Sequence, residues 1–404
     1  MASTQSIGCI ILNVDRMKFI NDMLGHQEGN LLLQHIAERL SDLLEEGDFL
    51  ARFGGDEFII LVANDRVNTV EEIAKRCVEQ MRAPFIVHGH PISITLSAGL
   101  CTYPREASNA DELLQYADLA MSESKRNGKN EATAFTLSLN EQYRRKLQIE
   151  EALTTALSHG ELHLVYQPKI RMRTEEIEGV EALLRWTHPE YGPISPVEFI
   201  PIAEEKGLIH TIGEWVLRAS CLQWVSWSRE LAEPPIVAVN ISPIQLTRDD
   251  FLPTLLEIIE ETAMDPRYLE LEIKESASLG FEEKSRALLE KIRTLGIHIS
   301  LDDFGTGYSS FSHLKELPID VLKIDRSFLR QLIGNKGQEA IVRSIIHLGH
   351  NLNFRVLVEG AEKKEEVDWL REAGCDFVQG YYYSKPEMPE RILQLMRHEG
   401  QPHG

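Results

Sequence analysis

Apolar and polar positions follow two different rhythms along the chain. Over residues 7–135, short apolar runs are interleaved with segments whose apolar residues recur at helical spacing. IGCIILNV (7–14) is an apolar run of strand length, whereas 28–44 repeats apolar positions three and four apart and predicts a helix. FLARF (49–53) and EFIILVA (57–63) flank a Gly-Gly pair and predict a β-hairpin. A helix at 70–82, a strand at 91–101 and a helix near 110–125 follow. The pattern is that of a sandwich-like α/β domain with a hairpin at its centre. Residues 138–159 contain neither Gly nor Pro and stop at Gly160, which predicts a polar helix joining two domains. Its apolar positions are Leu147, Ile149, Leu153 and Leu157, and a solvated spacer with one apolar face is the expectation.

From 161 the rhythm becomes regular. Strand candidates are LHLVYQ (162–167), GVEALLRW (179–186), IVAVNIS (236–242), LELEIKE (269–275), HISLDDF (298–304), VLKID (321–325), RVLVEG (355–360) and FVQGYYY (377–383). Helix-period segments such as 196–230, 250–263, 282–295 and 363–373 lie between them. Eight strands with helical crossovers predict a (β/α)8 barrel of the TIM type. An open doubly wound sheet is the alternative, but no GxGxxG turn follows the first strand. The expected division is an α/β domain at 1–137, a linker helix at 138–160 and a barrel at 161–400.

Charge narrows the function. Lys and Arg number 42 against 63 Asp and Glu, a net charge of −21. Binders of duplex nucleic acid or anionic membrane gain affinity by neutralising phosphate with cations, so both classes are excluded. An anionic substrate can still bind through divalent metals or locally placed Arg and Lys. The longest apolar runs, FIILVA (58–63) and GCIILNV (8–14), fall far short of the ~20 residues of a membrane span. The N-terminal MASTQS has no secretory pattern, and the five cysteines form no CxxC pair. The compartment expected is the cytoplasm.

Polar residues recur where barrel strands end. Glu181 lies in the second candidate and Asn240 ends the third; Glu272 and Glu275 close the fourth, Asp302 and Asp303 the fifth. Lys323 and Asp325 end the sixth, Glu359 the seventh and Gln379 the eighth. In a barrel these ends converge on the face where chemistry is done. Carboxylates crowded there raise one another's pKa unless cations intervene, and oxygen ligands select Mg2+ or Mn2+ over zinc. Two such ions ~3.5–4 Å apart activate water for in-line attack on a phosphodiester. The competing reading makes each acid a helix N-cap. It suffices for one residue, not for a set at successive strand ends.

EALLRW (181–186), NIS (240–242), LEIKES (271–276), DDFGTGYSS (302–310), KIDRSF (323–328), VEGAE (358–362) and QGYYYSKP (379–386) together resemble the EAL phosphodiesterase domain. The resemblance covers about 161–395 and implies hydrolysis of cyclic di-GMP to linear pGpG with two Mg2+ or Mn2+ ions. By the same resemblance Glu181, Asn240, Glu272 and Asp302 hold one ion, and Asp302, Asp303 and Glu359 surround the other. Lys323 meets the attacking water or scissile phosphate, Gln379 completes the pocket, and Glu275 anchors the loop DFGTGYSS. Arg185 meets a phosphate, and Gln167, Asp325 and Glu362 join it as substrate-binding candidates. Where the family has Thr in its ExTES segment, this chain has Lys274. Tuning rather than loss of activity is expected from this change. Two decoys are set aside. Glu151-Ala152-Leu153 also spells EAL but lies in the linker helix. Asp303-Phe304-Gly305 matches the kinase magnesium motif without a Gly-rich loop, a VAIK-like lysine or an HRD segment.

RFGGDEF (52–58), NVDRMKFINDMLGHQEGN (13–30) and SKRNGKN (124–130) resemble the GGDEF diguanylate cyclase domain. The resemblance implies a metal ligand and transition-state electrostatics from Asp56 and Glu57, phosphate contacts from Lys125 and Lys129, guanine recognition by Asn21, and GTP as a candidate ligand. Departures mark the domain as degenerate. The first metal-binding Asp of the family is Asn13, and its guanine-reading Asp is Asn30. An amide weakens Mg2+ binding and offers guanine one acceptor instead of two. Glu45 takes the place of the Arg in the RxxD inhibition motif, ahead of Asp48. The family's opening DxLTGLxNR segment has no counterpart, so a fragment of a longer signalling protein is expected. The expectation is a cyclic di-GMP phosphodiesterase with a regulatory GGDEF part, with a homodimer left open. A non-hydrolysing cyclic di-GMP receptor and a bifunctional cyclase and hydrolase are the alternatives.

Overall fold

A computed structural model describes residues 6–63, 69–275, 283–305 and 314–398. The chain divides into two compact units, Met1–Gln148 and Ile149–Gly404. Among the described residues no helix is long and apolar enough to cross a membrane.

The first unit is built on one sheet. Its strands are β1 (Ile7–Val14), β2 (Phe49–Gly54), β3 (Glu57–Ala63), β6 (Leu96–Tyr103) and β7 (Ala132–Ala134), in the order β2-β3-β1-β6-β7. β4 (Phe85–Val87) and β5 (His90–Ile92) form a separate ribbon, so the segment read as one strand at 91–101 is two elements. β1 lies in the middle, antiparallel to β3 and β6, which explains why it is apolar throughout rather than alternating. Ile10, Leu12 and Val14 pack with residues of the helices Met17–Leu24, His26–Ser41 and Val70–Gln80. Cys9 and Ile11 pack with the helix Ala110–Arg126 on the opposite face.

The helix Leu137–Ala156 is no solvated spacer. Leu139 is buried in the first unit's core, and Ile149, Leu153 and Ala156 are buried in the second's. The Glu151-Ala152-Leu153 decoy lies within it.

The second unit is an eight-stranded barrel made of β8 (Leu162–Arg171), β9 (Ile177–His188), β11 (Ile236–Ile241), β12 (Leu269–Lys274), β13 (His298–Phe304), β14 (Val321–Ile324), β15 (Arg355–Glu359) and β16 (Phe377–Gln379). β10 (Gly192–Ile194) is a short hairpin partner of β9. From β9 to β16 neighbours run parallel, but β8 runs antiparallel to both β9 and β16. The sequence rhythm does not show this reversal, because an apolar strand reads the same in either direction. Helices between the strands cover the outside and bury Trp224 and Trp227, which act in packing. The helix Lys336–Asn351, absent from the sequence reading, covers β15 through Val342 and Ile346.

Candidate active site

Strand register decides which side chains meet at the barrel mouth. Asn240 is level with Glu272, Lys274 with Asp302, and Glu359 with Gln379. Across the antiparallel seam Gln167 faces Glu181. Lys323 sits among them, fully buried. Its Nζ lies 2.5 Å from Glu272 Oε2, 2.7 Å from Glu359 Oε1, 2.9 Å from Asp302 Oδ1 and 3.9 Å from Glu181 Oε2. Burial alone would lower its pKa, but the surrounding carboxylates, Asp302 foremost, raise it well above the usual value.

The amides are as ordered as the acids. Asn240 Nδ2 donates to Glu181 Oε1 at 2.7 Å, and Gln379 Nε2 donates to Glu181 Oε2 at 2.6 Å and to Gln167 Oε1 at 3.1 Å. Gln167 in turn donates to the Ser384 carbonyl at 3.1 Å. Gly380, next to Gln379, tolerates no side chain: a Cβ there would lie 2.1 Å from the Ala361 carbonyl oxygen.

Burial pushes Glu181 up to about 7 and Glu359 to about 8, and the neighbouring charges of Glu272 and Asp302 respectively add to the effect. Glu272 is as buried, yet the ammonium groups of Lys169 and Lys323 overcome that and hold it at about 2. Three carboxyls in one mouth therefore differ in proton affinity according to how many cations touch them. Lys169 and Glu270 escaped the sequence reading. Lys169 Nζ donates to Glu272 Oε1 at 2.6 Å and to Glu270 Oε1 at 2.7 Å beneath the rim. A lysine inside the apolar run LVYQPKI and a glutamate inside LELEIK were the available signals.

Asp302 and Asp303 are adjacent, and on a regular strand they would face opposite ways. β13 breaks that rule. Its register against β14 shifts between Leu301 and Phe304, and Asp303 adopts a left-handed φ of 58°. Such a conformation in a non-glycine residue costs on the order of 1–3 kcal/mol and is held where the surroundings impose it. As a result carboxylate oxygens of Asp302, Asp303 and Glu359 lie within 4.8 Å of one another. Glu275 is buried and accepts from the Gly305 N–H at 2.7 Å. Gly305 has φ 94°, and a Cβ there would fall 2.5 Å from the Phe328 ring. Residues 306–310 of DFGTGYSS, and Ser276 of LEIKES, lie outside the described residues.

The donor set suits a hard divalent cation, being carboxylates and amides without sulfur or imidazole. Gln379 Oε1 is buried without a hydrogen-bond partner, and Asp302 Oδ1, despite its proximity to Lys323, makes no directed hydrogen bond. Buried acceptors of this kind fit an ion with its waters. The remaining candidates stand apart. Arg185 is half-buried, its Nη1 on the Leu184 carbonyl at 2.9 Å, and burial lowers its pKa. Asp325 accepts from the Ser327 N–H at 2.9 Å, which is the capping role weighed against catalysis. Glu362 is exposed beyond β15. None of these three hydrogen-bonds to the Lys323 cluster among the described residues.

In the first unit the hairpin β2–β3 presents Asp56 and Glu57 beside β1. Asn13 is paired with Glu57, and its amide reaches Glu57 Oε1 at 3.4 Å. Asp15, buried one turn away, is taken by Thr95 and Ser97 hydroxyls at 2.6 and 2.8 Å and by the Asn130 N–H at 3.3 Å. Asn21 and exposed Asn30 lie on successive helices, Met17–Leu24 and His26–Ser41. Lys125 ends the helix Ala110–Arg126, and Lys129 follows with a left-handed φ of 68°.

A barrel with one reversed strand and a lysine-centred ring of acids and amides at its mouth defines the class. The EAL-domain family matches residues 150–386, and the diguanylate cyclase, GGDEF-domain family matches residues 1–131. The chain belongs to the GGDEF–EAL family. It is 36% identical over 384 residues to the bifunctional diguanylate cyclase/cyclic di-GMP phosphodiesterase MucR of Pseudomonas aeruginosa, covering 95% of this chain and 56% of that protein. It is 36% identical over 402 residues to the cyclic di-GMP phosphodiesterase NbdA of the same organism, covering 98% of this chain and 51% of that one. The chain thus spans about half the length of the curated relatives it matches. Among solved structures, the PaMucR phosphodiesterase–c-di-GMP complex is 38% identical with a TM-score of 0.59, covering 61% of this chain and 99% of that chain. The FimX EAL domain from Pseudomonas aeruginosa bound to c-di-GMP is 26% identical with a TM-score of 0.55, covering 59% and 96%.

Proposed function

We propose that the barrel hydrolyses cyclic di-GMP to linear pGpG with two Mg2+ or Mn2+ ions, and that the GGDEF unit is degenerate and regulatory. The Lys323-centred cluster carries this reading. The carboxyls of Glu181, Glu270, Glu272, Asp302 and Glu359 face the two ammonium groups of Lys169 and Lys323, and Asp303 faces Lys274, which leaves three negative charges when all are ionised. Two divalent ions supply the balance. Glu181, Asn240, Glu272 and Asp302 would hold one, and Asp302, Asp303 and Glu359 the other. Bound ions of this kind lower the pKa of water and neutralise charge on a phosphoryl group.

The chain's own residues do the rest. Lys323, held among four carboxylates, would place its positive charge beside the water or the scissile phosphate. Gln379 and Asn240 fix the Glu181 carboxylate, and Glu275 holds the start of the loop after β13. Gln167, Arg185, Asp325 and Glu362 would contact the dinucleotide. The similarity to the PaMucR phosphodiesterase–c-di-GMP complex and to the phosphodiesterases MucR and NbdA supports this substrate. In the GGDEF unit an amide at Asn13 already donates towards Glu57, a pairing a metal ion would have to break. The five free, buried cysteines suit the cytoplasm.

The test is incubation with cyclic di-GMP and Mg2+ and chromatography of the product. Linear pGpG is expected, and Glu181→Ala abolishes it. Intact cyclic di-GMP that stays bound to the wild-type protein would show a receptor instead.

A further inference from the structure

Lys274 stands one residue from Glu275 and two from Glu272, on the last position of β12, level with Asp302. By alternation it shares the strand face of Glu270 and Glu272, but at the rim its side chain is 58% exposed. The left-handed turn at Asp303 brings the second aspartate within reach of this lysine. Lys274 Nζ then lies 3.7 Å from Asp303 Oδ2. The two buried lysines approach the acids from within the barrel, at full burial; Lys274 approaches from the solvent side, against the one acid of the Asp302–Asp303–Glu359 group that is 38% exposed.

We infer that Lys274 competes with the ion held by Asp302, Asp303 and Glu359, makes that site the weaker of the two, and so sets the divalent-ion concentration at which the barrel becomes active. The inference rests on the metal reading above. A unit positive charge about 6 Å from a doubly charged ion, screened as in water, weakens binding by about tenfold. Because the lysine is more than half exposed and screened by solvent, the expected effect is about three- to tenfold. The other ion, ~3.5–4 Å further from Lys274, is affected less. Lys274 is therefore a residue that tunes the metal requirement without touching substrate.

Titration of the whole chain with Mn2+, read from the electron paramagnetic resonance signal of the free ion, tests this independently of turnover. Lys274→Thr and Lys274→Met are expected to tighten the weaker site three- to tenfold and the tighter one by less. Lys274→Arg should match the wild type, and Asp303→Asn should remove the weaker site from wild type and K274T alike. The Mg2+ concentration for half-maximal hydrolysis should fall in parallel. Unchanged Mn2+ affinities in K274T and K274M, with D303N still losing one ion, would overturn the role of Lys274 and leave the metal site standing. No saturable Mn2+ binding by the wild type would overturn the metal site and this inference together.

Discussion

The barrel mouth and the hairpin site of the first unit both present acids at the ends of β-strands, and they resolve the same electrostatic problem in opposite ways. At the mouth, Glu181, Glu272, Asp302 and Glu359 crowd round one ammonium, and burial drives Glu181 and Glu359 up to about 7 and 8. Negative charge there exceeds what the two lysines neutralise. At the hairpin, the amide of Asn13 faces Glu57, and the buried acid, Asp15, is satisfied by two hydroxyls and a backbone N–H. Acids alone do not make a metal site. They suit a metal ion where packing leaves their charge in excess of the nearby cations, and of these two sites the mouth is the one that does so among the described residues.

The comparison breaks most directly at the mouth. Glu272→Gln and Asp302→Asn should each lower kcat on the order of a thousandfold, with the circular dichroism spectrum retained, as measured by pGpG formation. Retained turnover in both would remove the barrel's claim to be the charged region. Next in size is Lys169→Met, which leaves Glu270 and Glu272 without their shared cation. Breaking a buried pair in this way costs about 3–5 kcal/mol of stability, read from denaturant unfolding, and E270Q added to K169M should recover part of the loss. If the single variant unfolds like the wild type, Lys169 is not the underpinning of Glu272.

Protons sharpen the contrast further. Burial raises Glu181 and Glu359 above the usual value of about 4.3, so the metal-free fold prefers them protonated. Their contribution to stability is present at low pH and is lost as pH rises through about 5 to 8. Melting temperature in chelator should therefore fall across that range, and Mg2+ should flatten the fall. Metal binding near pH 6.5 should release protons, seen as a buffer-dependent heat in calorimetry. The smallest effect is expected at the hairpin. Asn13→Asp restores a carboxylate beside Glu57 and should add one weak Mn2+ site without producing cyclic di-GMP from GTP, since Asn30 still lacks the second acceptor for guanine.

Much of the mouth was legible along the chain. Glu181, Asn240, Glu272, Asp302, Lys323, Glu359 and Gln379 each break an apolar run near its end, and a barrel brings such ends together whatever the details of its helices. Lys169 and Glu270 were not legible, because their partnership depends on β8 running backwards and placing Lys169 beneath the rim. Asp303 was legible as a ligand candidate, but not as the residue whose left-handed φ brings it to Asp302. Lys274 shares the strand face of Glu272 by alternation, but its contact with Asp303 was not legible, since it depends on the left-handed turn in the next strand. The joining helix also reads as solvated by composition, yet Ile149, Leu153 and Ala156 are buried.

By itself the sequence determined the two units, the barrel architecture, the excess of acid at the strand ends and the amides Asn13 and Asn30 in the first unit. These are properties of composition and short-range periodicity, which each strand or helix expresses without reference to the others. Tertiary structure alone decided which acids are paired, which stay protonated and which cations reach them. Coulomb energy and desolvation depend on distance and burial through space, and residues as far apart in the chain as Lys169 and Glu272 meet only once the barrel has closed.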